Sequence, residues 1–315
     1  MTARAAGSTD HWRSYYDDET LARTDALRQT VTIPSAGVQI HLDVYPGPGP
    51  DCPVVVFNHG AAGYCRLFVR LALEYHDRGY TVVLPDQMGQ GLSGGRRGDY
   101  TVAGATRNVV DAARWARARF GTPVFLAGGS VGGGLAYYAA AAGAPASAIA
   151  CLDLIDFATS DSLSLSTLAP LARISGTTTL ARWLLALLRP VHRLRIPFTW
   201  VGRFDKLMDR RDADLQALWD ADPVPPRRVS VRYLASASTT PPAVALEDNQ
   251  VPTLVINQSL DEMVDPAVTR RNFDRLGGPK RYLEIPFGHW SGQPEFWRAI
   301  VDSSDDWFRS HLPPA

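Results

Sequence analysis

The feature that most constrains the fold is the stretch Val124-Phe-Leu-Ala-Gly-Gly-Ser-Val-Gly-Gly-Gly-Leu-Ala136. Residues of strand character, Val124 to Ala127, run into Gly128-Gly129-Ser130-Val131-Gly132, and an alanine-rich helical run follows. A strand that becomes a helix across so tight a turn puts its central residue in strained backbone. Only small neighbours then let the two elements pass closely. The turn lifts the Ser130 hydroxyl clear of the sheet. It also aims the Val131 N–H, at the start of a helix, toward the place where an oxyanion would form. G-x-S-x-G in this strand–turn–helix setting makes Ser130 a candidate nucleophile.

Around this turn the chain alternates. Val54–Phe57, Tyr80–Leu84, Ser147–Leu154, Pro252–Ile256 and Lys280–Ile285 read as strands, the first two as apolar runs of the kind buried on both faces of a parallel sheet. Helical stretches lie between and after them, Arg66–Arg78, Thr101–Phe120, Val131–Ala142, a helix from Pro266 and a last one from Pro294 to His311. Gly79 and Gly121 are placed to cap two of these. Near the N-terminus, Asp18–Leu27 is a short helix candidate. Val31–Ile33 and Val38–Tyr45 alternate apolar and polar residues across Pro34-Ser-Ala-Gly37, which predicts a β-hairpin with one wet face. The class is α/β, with a mostly parallel central sheet flanked by helices.

Alternation stops between Phe157 and Asp248. Small polar stretches, Thr159–Thr167 and Ala235–Pro242, bound a segment that holds the apolar run Leu180–Leu188 and the aromatics Trp183, Phe198, Trp200, Phe204, Trp219 and Tyr233. The expectation is a helical cap inserted after the sixth strand. Residues 1–156 and 249–315 then form the core, and 157–248 a hinged lid over the carboxyl edge of the sheet.

Composition excludes several classes. The 32 basic residues balance the 32 acidic ones, so no electrostatic footprint for nucleic acid or anionic membrane is present. Cys52, Cys65 and Cys151 lack any C-x-x-C spacing, which argues against a disulfide framework and against structural zinc. The N-terminal residues contain no apolar signal region, and no window approaches the length of a membrane span. The expectation is a cytoplasmic protein without cofactor, metal or stable membrane insertion, with a homo-oligomer left open.

Asp86-Gln-Met-Gly-Gln-Gly-Leu-Ser-Gly94 contains a formal G-x-G-x-x-G. A dinucleotide site needs a helix to open there, so that pyrophosphate sits on its N-terminus. Gly95-Arg-Arg-Gly98 follows instead, and Asp111 falls inside a helix rather than on a second strand. The segment reads as a loop.

Loops at the carboxyl ends of parallel strands share one edge of a sheet. Asn58-His59-Gly60-Ala61-Ala62-Gly63 is one such loop; its Ala61 N–H is the best candidate for a second oxyanion donor, and His59 is expected to brace it. Ser130, Asp261 and His289 each fall just past a strand, in the order serine, acid, histidine. A serine hydroxyl needs an imidazole to take its proton. The imidazole in turn needs a carboxylate to fix its tautomer and stabilise the cation. His11, His41, His76 and His311 are poorly placed, and His59 and His192 are weaker candidates for the base.

The apolar strand followed by His59-Gly-Ala61, the D-x-x-G-x-G-x-S turn at Asp86–Ser93, the elbow at Ser130, D-E-M-V-D from Asp261 and G-H-W from Gly288 make Val31–His311 similar to the α/β-hydrolase superfamily, close to its esterases and monoglyceride lipases. The resemblance implies Ser130 as nucleophile, Asp261 as acid, His289 as base, and the Ala61 and Val131 N–H groups as oxyanion hole. Two departures matter. The segment before the acid usually carries a glycine and here reads Asn257-Gln258-Ser259-Leu260. Some members take the acid from the sixth strand, which leaves Asp153 and Asp156 as alternatives. The expected activity is hydrolysis of a carboxylic ester or lactone of a hydrophobic substrate through an acyl-enzyme. An acyltransferase with the same residues, or a ligand receptor that keeps the fold, are the alternatives. A serine at the elbow argues against dehalogenase and epoxide-hydrolase chemistry, where an aspartate normally stands.

Overall fold

A computed structural model describes residues 10–159, 191–200 and 202–312. Its centre is an eight-stranded sheet built from β1 (Gln29–Ser35), β2 (Val38–Tyr45), β3 (Val54–Asn58), β4 (Thr81–Pro85), β5 (Val124–Gly129), β6 (Ile149–Leu152), β9 (Thr253–Gln258) and β10 (Lys280–Ile285). Their order across the sheet is β1-β2-β4-β3-β5-β6-β9-β10. Pairing is parallel from β4 through β10, and β1 and β2 add an antiparallel edge. The register sets Asn58 opposite Gly128 and Gly129 opposite Leu152, so β3, β5 and β6 end at one level.

The flanking helices are α1 (Asp18–Leu27), α2 (Val69–Asp77), α3 (Val102–Phe120), α4 (Val131–Ala141), then α7 (Pro266–Arg275) and α8 (Pro294–Arg309). Gly121, at φ +74°, ends α3 in the left-handed conformation that the sequence predicted for a cap. The glycines that open α4 do more than bend the chain. A Cβ at Gly132 would lie 2.1 Å from the Asn58 carbonyl oxygen, and one at Gly133 would lie 2.5 Å from that of Asp153. Each glycine costs about 1 kcal/mol of helix propensity. The cost is offset by a helix that settles directly onto β3 and β6.

The hairpin differs from expectation in one respect. From Ile40 to Tyr45 every residue of β2 is buried, including His41 and Asp43. The predicted wet face is covered by the N-terminal segment, with Trp12 buried and the Arg28 and Arg66 guanidinium groups over its ring at 5.0 and 5.5 Å. His41 Nε2 meets Asp43 Oδ1 at 2.8 Å, and Arg66 Nε donates to Asp43 Oδ2 at 3.1 Å. Burial would push the Asp43 carboxyl up, yet His41, Arg66 and Arg28 hold it down to about 2.

Between β6 and β9 the described residues form α5 (Ala213–Ala221), α6 (Val231–Ala237) and a two-stranded antiparallel ribbon of β7 (Arg195–Pro197) and β8 (Arg228–Ser230), which the sequence reading had not anticipated. Leu180–Leu188, Trp183 and most of the Thr159–Thr167 stretch lie outside the described residues. Among the described residues no helix is long and apolar enough to cross a membrane.

Candidate active site

Ser130 sits between β5 and α4 at φ +57°, ψ −126°. For a residue with a Cβ this region costs about 1–3 kcal/mol and needs surroundings that enforce it. The Ser130 N–H donates to Leu152 O at 2.8 Å, and the Ser130 carbonyl accepts from Gly133 N–H at 3.0 Å. Val131 follows as the first residue of α4, where backbone N–H groups have no intrahelical acceptor. Ala61 stands across the cleft in the loop after β3. Among the described residues neither the Ala61 nor the Val131 N–H is engaged in a hydrogen bond.

His59 braces that loop, as expected. It is fully buried; its Nδ1–H donates to Gly60 O at 2.8 Å, and its Nε2 accepts from Gln87 N–H at 3.1 Å. Gln87 Nε2 returns a bond to His59 O at 2.8 Å. Burial lowers the His59 pKa. The glycine-rich loop also reads as expected. Asp86 Oδ1 and Oδ2 accept from Cys65 N–H and Leu92 N–H at 2.6 Å each, Gly89 and Gly91 take positive φ, and no helix opens before Val102.

Opposite Ser130, His289 Nδ1 lies 2.6 Å from Asp261 Oδ2. The other oxygen of Asp261 accepts from Met263 N–H at 2.7 Å and Val264 N–H at 2.9 Å, which fixes the carboxylate in one plane. Burial would lower the His289 pKa, but Asp261 outweighs it and raises the value to about 9. Two residues that sequence reasoning missed hold this loop. Gln258 Nε2 donates to Gly288 O at 2.7 Å and His289 O at 2.5 Å. From the inserted segment, Asp209 Oδ2 accepts from Gly288 N–H at 2.7 Å, Asp209 N–H donates to Trp290 O at 2.7 Å, and Trp290 N–H donates to Leu207 O at 3.0 Å. Arg211 beside Asp209, with burial opposing, keeps that carboxyl well below the usual carboxylate range.

The sixth-strand acids divide. Asp156 accepts from Tyr138 Oη at 2.8 Å and Ala158 N–H at 2.9 Å and pairs with Arg275 at 2.7 Å, away from His289. Asp153 Oδ2, by contrast, lies 3.6 Å from His289 Nδ1. Burial first, then the charge of Asp261, push Asp153 up to about 7. Among the described residues, two groupings bring His, Cys or carboxylate donor atoms within 4.8 Å of one another: His41, Asp43 and Cys65, and Asp153, Asp261 and His289. In the first, Arg28 and Arg66 already balance the charge. In the second, imidazole does.

Ser130, Ala61 and His289 line one cleft. Its walls are Phe57, Phe68, Met263, Trp290 and Trp297 from the core and Leu207 and Trp219 from the inserted segment. Among the described lining residues there is no carboxylate and no basic side chain other than His289. His192, the other weaker candidate for the base, does not line the cleft.

A parallel sheet with this strand order, a serine on a strained strand-to-helix elbow and a histidine after the last strand define an α/β-hydrolase of the serine type. The profile of the serine aminopeptidase (S33) hydrolase family matches residues 49–288, and the chain belongs to that family. No curated protein sequence matches it. Among solved structures it is similar to the α/β hydrolase GrgF from Penicillium sp. sh18, with TM-score 0.71, 16% identity, and coverage of 90% of this chain and 99% of that one. It is also similar to a soluble variant of monoglyceride lipase from Saccharomyces cerevisiae in complex with a substrate analogue, with TM-score 0.68, 17% identity and coverage of 91% and 97%. A third is the monoacylglycerol lipase of Paleococcus ferrophilus, with TM-score 0.64, 21% identity and coverage of 90% and 99%.

Proposed function

We propose that the protein is a serine hydrolase of carboxylic esters or lactones with a hydrophobic acyl or alcohol part, acting without a cofactor. Ser130 Oγ attacks the carbonyl carbon and His289 takes its proton. Asp261 holds Nδ1–H and stabilises the imidazolium, while the Ala61 and Val131 N–H groups bind the oxyanion. The alcohol leaves with the proton from His289; water activated by the same imidazole then clears the acyl-enzyme. The inserted segment acts as a cap, with its Leu207 and Trp219 forming part of the cleft wall.

The observation that carries this reading is the pairing of an elbow serine and an acid-bound imidazole with a cleft whose described lining residues are largely aromatic and include no carboxylate. An aminopeptidase must bind a charged α-amino group, and a buried cation without an anionic partner is costly. An uncharged ester meets no such penalty in these walls. Two of the similar structures carry monoglyceride or monoacylglycerol lipase names, which agrees with an apolar substrate.

The test joins a fluorophosphonate probe with a panel of aryl, alkyl and lactone esters. Wild type should label at Ser130 and prefer apolar substrates. Ser130→Ala should lose labelling and on the order of 10⁶ in kcat while its melting temperature stays near wild type. Labelling without hydrolysis, but with transfer to an added alcohol, would make the protein an acyltransferase. Absence of labelling in folded wild type would make it a receptor.

A further inference from the structure

Asp153 is a buried carboxyl that the reaction above does not use. It follows β6 at φ +63°, a left-handed conformation unusual for a residue with a Cβ, and is 1% exposed. Its Oδ1 receives one long contact from Thr269 Oγ1 at 3.5 Å, and its Oδ2 has no hydrogen-bond partner. Leaving such an atom unsatisfied in a dry interior costs more than an ordinary hydrogen bond returns. That orphan oxygen is 3.6 Å from His289 Nδ1, the atom that Asp261 Oδ2 holds at 2.6 Å. Backbone strain and a forfeited hydrogen bond therefore coincide on one carboxyl, and it is aimed at the imidazole.

We propose that Asp153 is a second positioning carboxyl for His289, flanking Nδ1–H beside Asp261 and taking it over when Asp261 is lost. This rests on the Ser130–His289 chemistry just proposed. The two carboxyls reach the ring from different elements, Asp153 from the end of β6 and Asp261 from the loop after β9. A displacement of about 1 Å, the size of ordinary thermal excursions, converts one contact into the other.

The remaining groups near Asp153 are Cys151 on its own strand, Thr269 and Asn272 of α7, which are uncharged, and Asp156, which Arg275 neutralises. The charge balance is thus set by Asp153, Asp261 and His289. While Asp153 keeps its proton, the ring faces one negative charge. As it ionises, the imidazolium is held more firmly, and His289 becomes free to act as a base only at higher pH.

The experiment compares Asp153→Asn, Asp261→Asn and the double variant with a p-nitrophenyl ester, in preparations matched by circular dichroism and melting temperature. Losing the only acid of such a triad costs on the order of 10⁴, so Asp261→Asn should keep at least about tenfold more kcat than the double variant. Asp153→Asn alone should shift the acid limb of kcat/KM downward by roughly half a unit, because it removes a charge that raises His289. A low-field proton resonance from His289 Nδ1–H should persist in Asp261→Asn and disappear in the double variant. The Asp261→Asn arm of this measurement needs no Asp153 substitution to fold. Its loss in Asp261→Asn, or equal activity of Asp261→Asn and the double variant, overturns the proposal. Failure of the underlying reading looks different, since wild type itself would then neither hydrolyse ester nor label at Ser130.

Discussion

On the Ser130 side of the cleft the anchors next to the serine come from the sheet and its own loops: Ser130 N–H on Leu152 O, His59 and Gln87 locking the loop after β3, and glycines that let α4 touch β3 and β6. On the His289 side the anchors are mixed. Gln258 belongs to β9, but Leu207, Asp209 and Asp212 belong to the inserted segment, with Asp212 Oδ2 accepting from Ser291 Oγ at 2.5 Å and Gly292 N–H at 3.2 Å. Ser130, the proposed nucleophile, is thus built into the core, whereas His289, the proposed base, is held partly by the insertion. A lid that swung as a whole about its two ends would drag His289 with it. Changes in the insertion can therefore alter chemistry as well as substrate fit.

The comparison breaks most visibly at His289, the proposed base. Replacing His289 with Ala should cost on the order of 10⁶ in kcat, as large as losing the nucleophile, despite the looser provenance of its anchors. Single-turnover assays with an activated ester would measure it, and residual activity above a few per cent would move the base elsewhere. On the core side, Gly132→Ala should be the harsher structural change. Its Cβ meets the Asn58 carbonyl oxygen at 2.1 Å, so α4 must lift from β3, and urea unfolding should show a loss of about 3 kcal/mol or more. A loss under half a kcal/mol would mean that the elbow is not tightly seated.

Asp209→Ala sharpens the same contrast from the other side. Gly288 N–H loses its acceptor and the His289 loop can drift, so kcat should fall about 10–100-fold with little change in melting temperature. A matching fall in stability with unchanged kcat would make Asp209 ordinary scaffold. The smallest effect is on stability against pH. Asp261 raises His289 from 6.5 to about 9, so the stabilisation from this pair is complete below pH 6.5 and is lost as pH rises through about 9. Over that window the melting temperature should fall by a few degrees more in wild type than in His289→Gln.

The sheet and the elbow were legible because their signals are local. Apolar runs, capping glycines and G-x-S-x-G each lie within a few residues. The order of Ser130, Asp261 and His289 was legible for the same reason, each standing directly after a strand. Gln258 and Asp209 were not, because their partners lie 30 and 79 residues away, and neither carries a motif. The wet face assigned to β2 failed because alternation reports polarity, not cover. Arg28 and Arg66 bring countercharges to Asp43, the partner of His41, from outside the hairpin. The β7–β8 ribbon escaped because three-residue strands are too short to display a period.

Among the described residues three tryptophans, Trp219, Trp290 and Trp297, face the cleft. Trp290 has aromatic neighbours in Tyr15, Phe68 and Trp297, and its indole N–H is buried without an acceptor. Indole emission follows local polarity and nearby quenchers, so the molecule carries its own optical gauge of occupancy. An apolar ligand that expels water from the cleft will move this emission to shorter wavelength whether or not it is cleaved. Product acids, alcohols and inert ethers can then be ranked by titration alone, a route to the natural substrate that bypasses any need for turnover.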